Sequence, residues 1–148
     1  MPVRPKHAMR PVLIRAICLA ALLLLAACAS SSDKRSALEE MQYQYSAAIR
    51  WNDFEGAWNA IDPDYRKEHP MTDLQFERYK QIQVSGYQDL ASDLSEDKMH
   101  ARREIQISLI NKHNMTERSI RYTESWKYDP AIKRWWVTSG LPDFWAGE

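Results

Sequence analysis

At Ile82 the hydrophobic pattern of this chain changes period. Upstream, apolar residues recur at spacings of three and four; from residue 82 to 141 they alternate. Three polar or proline-containing breaks interrupt the alternation: Ser95-Glu96-Asp97-Lys98, Lys112-His113-Asn114-Met115, and Tyr128 through Lys133 around Pro130. Such breaks between alternating runs are hairpin signals. They predict four antiparallel strands over residues 82–94, 99–111, 116–128 and 134–141.

The turns also predict a register. Lys112 facing Met115 sets Ile105 opposite Tyr122 and Ile107 opposite Ile120. Ser95 facing Lys98 sets Leu94 beside Met99 and Val84 beside Leu109, and Tyr128 facing Arg134 sets Trp126 against Trp136. These choices gather the large apolar residues mainly on one face, and a slip of one residue would scatter them. A meander with one buried side is the expectation.

Three helices are expected before the sheet. Ser36-x-x-Glu39 reads as a capping box, followed by the stripe Leu38, Met41, Tyr45, Ala48 and Ile49. Asn52-x-x-Glu55 opens a second helix carrying Phe54, Ala57, Trp58 and Ile61, and Asp62-Pro63 is expected to stop it. A third runs from Thr72 to about Gln81. Helices followed by an antiparallel meander covered on one face make an α+β architecture. No internal repeat points to a solenoid.

The N-terminus reads as an address. Arg4, Lys6, Arg10 and Arg15 precede Ala16–Ala27, an apolar run too short for the roughly 20 residues of a membrane span. The run ends in Leu25-Ala26-Ala27-Cys28, which resembles the lipobox of bacterial lipoprotein precursors. That resemblance implies a cleaved signal peptide over residues 1–27 and a lipidated Cys28 carrying more than one acyl (palmitate-type) chain, enough for stable anchoring. Residues 28–36 form a polar tether reaching at most about 26 Å beyond the cysteine, and residues 37–148 form the domain. Ala29 and Ser30, with no aspartate after the cysteine, point to the outer membrane, facing the periplasm, in preference to the inner.

The order of elements, Trp51-Asn52-Asp53-Phe54 between the first helices, and the closing Trp135-Trp136-Val137-Thr138-Ser139-Gly140-Leu141-Pro142 resemble the nuclear-transport-factor-two-like superfamily over Leu38–Phe144. The resemblance implies a cystatin-like or ketosteroid-isomerase-like cone whose concave face lines a pocket. The predicted register puts Gln88, Arg103, Tyr122, Glu124, Trp126, Trp136 and Thr138 near one another on that face, beside Leu90. This polar group in an apolar cup is the candidate site for a small apolar or amphipathic ligand. The alternatives are an ordinary cross-strand Arg103–Glu124 contact, and an isomerase- or hydratase-type enzyme with Tyr122 and Glu124 on one face. An arginine beside Glu124 would weaken that residue as a base, and no catalytic motif is carried over.

Composition narrows the remaining classes. Four of the 20 basic residues and none of the 20 acids lie in residues 1–27, leaving 16 against 20, a net of −4. Such a body has no electrostatic footprint for nucleic acid. With Cys18 in the leader and Cys28 acylated, neither a thiolate nucleophile nor a zinc cluster is expected. His100 and His113 lie about 43 Å apart along a strand, so they share no metal. His69, before Pro70, is expected to be exposed, and the scattered glycines form no phosphate loop. No metal or cofactor is therefore expected. Trp135 and Val137, predicted opposite in face to Trp136, are the candidate interface for an envelope partner or a homodimer. The expected role is a non-catalytic binding or scaffold module.

Overall fold

The structure, a computed structural model, describes residues 33–145. The chain divides into two units, Met1–Arg35 and Ser36–Glu148. The expected signal peptide, lipobox and Cys28 lie outside the described residues.

Among the described residues four helices precede the sheet: α1 over residues 33–50, α2 Phe54–Trp58, α3 Pro63–Glu68 and α4 Asp73–Tyr79. In α1 the anticipated stripe is buried: Leu38, Tyr45 and Ile49 enter the core, with Met41 and Ala48 packed against it. Ser36 is not its cap, because the chain is already helical from residue 33, so residues 33–36 belong to the helix and not to a loose tether. The α2 cap is Asp53, whose side chain accepts from Gly56 N–H. Asn52 adopts φ 59°, and its amide bridges the Ile82 carbonyl (2.6 Å) and the Val84 N–H (3.3 Å), tying the helix turn to the sheet.

Asp62-Pro63 opens a helix where a stop was expected. Proline at the first helical position gives up an N–H that has no intrahelical partner anyway, and its fixed φ suits a helix. Asp62 caps α3 by accepting from Asp64 N–H and Tyr65 N–H. Thr72 caps α4 with Gln75 in a reciprocal capping box.

The sheet contains β1 Ile82–Leu94, β2 His100–Asn111, β3 Glu117–Asp129 and β4 Arg134–Val137, in the order β1-β2-β3-β4. Between β2 and β3 the register is the expected one, with Ile105 opposite Tyr122 and Ile107 opposite Ile120. Between β1 and β2 it holds only at the start, where Val84 faces Leu109. Bulges between Val84 and Gly86 and between Asp89 and Ala91 then move β1 by one residue each, so Leu94 faces Ala101. Gly86 lies so close to Ser108 that an added Cβ would sit 3.3 Å from its side chain.

The last hairpin differs by one residue. Asp129, not Tyr128, faces Arg134, so Trp126 faces Val137 and Tyr128 faces Trp135. Trp135 and Val137 therefore point into the core, fully buried, and the interface expected there does not exist. Trp136 faces Lys127 on the outer side, under the Arg134 guanidinium at 4.1 Å. β4 ends at Val137 and not at residue 141. Its N–H donates to Ala60 and its carbonyl accepts from Asp62 N–H, which makes a short parallel bridge at Ile61. Gly140, at φ 74°, then turns the chain away, and Phe144 packs between Phe54 and Tyr79.

Candidate functional site

The expected polar group is part right and part wrong, and the register explains both. Arg103 and Glu124 face each other on β2 and β3, and Trp126 sits two residues along on the same face. Gln88 does not join them: the first bulge pairs it with Gln106 on the exposed outer face. Leu90 lies at the second bulge and is 43% exposed. Thr138, displaced with β4, bonds the Ser125 carbonyl through its N–H at 2.8 Å, and Trp136 lies on the other side. The first bulge brings Tyr87, opposite Ile107, and Asp89, opposite Ile105 where Gln88 was anticipated, onto the inner face, and the second sets Ser92 opposite Arg103 where Leu90 was anticipated. The signal of the first was Gly86, since a glycine inside a strand marks a bulge.

Glu124 is fully buried, and each of its oxygens is engaged. Arg103 reaches it bidentately, Nε to Oε2 at 2.9 Å and Nη2 to Oε2 at 2.7 Å and Oε1 at 3.0 Å. The Trp126 indole N–H donates to Oε2 at 2.9 Å, and the Tyr87 hydroxyl donates to Oε1. Arg103 also touches Asp89 at 3.5 Å. Two effects oppose at this carboxyl. Burial pushes it up to about 8, while the Trp126 N–H pulls it down. The guanidinium acts with Trp126, because it keeps its proton and aims its fork at both oxygens. That geometry is an ion pair's. Burial also lowers Arg103 from the usual guanidinium range, against the pull of Asp89.

Tyr122 belongs to an adjoining network. Its hydroxyl donates to the Gly140 carbonyl at 2.6 Å and meets Ser139 Oγ at 3.0 Å and Tyr45 Oη at 3.1 Å. Burial pushes it up to about 12, and Tyr45 is likewise raised well above its ordinary value, mainly by burial. Neither phenol is an acid for neutral-pH chemistry.

An open, aromatic cleft lies elsewhere, between α2, α3, α4 and the C-terminal segment. It measures about 420 Å³, with Trp58, Tyr65, Tyr79 and Trp145 among its walls. His69, Gln75 and Arg78 supply its polar groups, and neither Arg103 nor Glu124 lines it. The Tyr79 hydroxyl donates to the Pro142 carbonyl at 2.9 Å, holding the C-terminal segment as one wall. Arg78 stacks over Trp145 at 4.0 Å, and the exposed His69 stacks on Tyr65 at 4.3 Å. Sequence reasoning missed this cleft because its residues come from four short segments that only the fold brings together. Among the described residues no group of histidine, cysteine, aspartate and glutamate side chains is arranged to hold a metal ion.

No protein-family model and no curated protein matches this chain. Solved structures do resemble it, among them two SEC-C motif proteins. One is the solution structure of a SEC-C motif-containing protein from Rhodopseudomonas palustris, 16% identical, with a TM-score of 0.51 over 66% of this chain and 72% of that one. The other is the crystal structure of a SEC-C motif-containing protein from Psychrobacter arcticus, 12% identical, with a TM-score of 0.54 over 73% of this chain. This chain spans 62% of the Psychrobacter protein's length. At these identities the likeness is one of fold. It replaces the cystatin-like, ketosteroid-isomerase-like cone inferred from element order: the fold is a four-stranded antiparallel sheet with short helices, like those SEC-C motif proteins. Element order misled because a few helices before a meander is common to many sheets, and it names no family.

Proposed function

We propose that this chain is a lipid-anchored envelope lipoprotein, a non-catalytic binding or scaffold module that faces the periplasm from the outer membrane. The observation that carries the non-catalytic part is the closure of the Arg103–Glu124 cluster. A general base needs an oxygen within reach of a substrate proton. Here one carboxylate is buried under an arginine, a tyrosine and an indole, with both oxygens taken. Catalysis at Glu124 and a ligand seated on it are both disfavoured. The binding surface is instead the aromatic cleft, which is open to solvent and built from large, low-entropy side chains suited to contact.

The anchoring part rests on the basic leader, the short apolar run and Leu25-Ala26-Ala27-Cys28. Two or more acyl chains bind a membrane stably where one alone is marginal. Fractionation tests it. The wild-type protein should pellet with membranes and Cys28→Ala should leave them, whereas an equal membrane share for both would end the lipoprotein reading.

A further inference from the structure

The cleft has a charge character unlike that of the domain around it. From residue 28 onward acids outnumber bases by four, yet no aspartate or glutamate lines the cleft. Its charged group is Arg78, with its guanidinium laid on the Trp145 ring at 4.0 Å. Stacking occupies a face of the guanidinium, while its N–H donors radiate from the edge of the plane and suit a forked anion. Among the described residues no carboxylate forms an ion pair with Arg78. Asp143, the acid whose charge acts on Tyr79, turns Oδ1 onto the Trp145 backbone N–H at 2.9 Å. In the same cleft Trp58 and Tyr65 present aromatic surface, their rings 6.4 Å apart and edge to face. The volume of about 420 Å³ lies within the usual range for small-ligand sites, roughly 300–1,000 Å³.

We infer that the cleft binds a small anionic ligand with a flat or apolar body, its carboxylate or phosphate meeting the edge of Arg78 and its body lying against Trp58 and Tyr65. This rests on reading the protein as a binding module, and it names the class of what is bound. The cation supplies selectivity for charge and the rings supply contact area. A neutral molecule of the same shape gains only the second.

Calorimetric titration of the full Cys28→Ala chain with naphthoate, naphthyl phosphate and uncharged naphthamide tests the assignment. At least one anion should bind about tenfold more tightly than the amide, the difference expected for a charge-assisted contact. Tighter binding by the carboxylate alone or by the phosphate alone supports the assignment and selects the source of the anion. Arg78→Gln should bring the anions down to the amide's affinity, and added salt should weaken the anions and spare the amide in the unmodified cleft. Equal affinity for anions and amide, a preference that survives Arg78→Gln, or no binding of any probe by the folded chain would overturn it. Fractionation reads location and this titration reads affinity, so failure of the anchor and failure of the cleft are told apart.

Discussion

Glu124 shows how one buried carboxylate is held. Taking a charge out of water is expensive, and it persists where a counter-charge and further hydrogen bonds meet its oxygens. Arg103, Trp126 and Tyr87 meet them here. Glu124→Gln leaves the largely buried Arg103 charge with only Asp89, at 3.5 Å, as its carboxylate, so it should cost up to about 3–5 kcal/mol in urea unfolding. Adding Arg103→Met should recover part of that loss, because the two residues form one unit. A loss under about 1 kcal/mol, or simple additivity, would mean the pair is not a buried ion pair. The pair itself was legible in the sequence through the Lys112–Met115 turn, which set the register of β2 and β3. Its tyrosine was not, because the bulge at Val84/Gly86 moves Tyr87 into the inner-face place opposite Ile107 that uninterrupted pairing assigns to Gly86.

At the scale of elements, local chemistry marked the long strands, the α1 stripe and the helix starting at Thr72, and failed where tertiary contacts decide. The β3–β4 hairpin is the clearest case. A six-residue polar break closes in more than one way, and the choice depends on Ala60 and Asp62 bonding Val137 from outside the hairpin. A shift of one residue reverses every side chain, which sends Trp135 inward. Trp135→Ala should therefore cost about 3–5 kcal/mol, as for a core aromatic. Gln88→Ala on the outer face should change stability by no more than about 0.5 kcal/mol. Equal, small effects from both would restore Trp135 to the surface. Asp62-Pro63 carries the same lesson: proline ends one helix pattern or begins another, and the cap at Asp62 decides which.

For the whole molecule, the buried phenols link packing to pH. Burial raises Tyr122 to about 12, and it raises Tyr45 and Tyr79 as well. The folded state thus keeps protons that the unfolded chain releases near pH 10, so their contribution is complete below 10 and fades as pH climbs toward 12. Phenolate absorbance should show Tyr45, Tyr79 and Tyr122 ionising only together with unfolding; their ionisation in a folded protein near pH 10 would contradict the packing. The cleft was illegible in the sequence for a related reason: Trp58, Tyr65, Arg78 and Trp145 follow no shared period, and the turn at Gly140 is what brings the last of them back. The proposed address, by contrast, rests on consecutive residues, and the proposed role depends on it. Intact-mass spectrometry of the protein extracted from membranes tests it most directly. A chain beginning at Cys28 and carrying acyl mass is predicted, and an uncleaved leader or an unmodified Cys28 would contradict it.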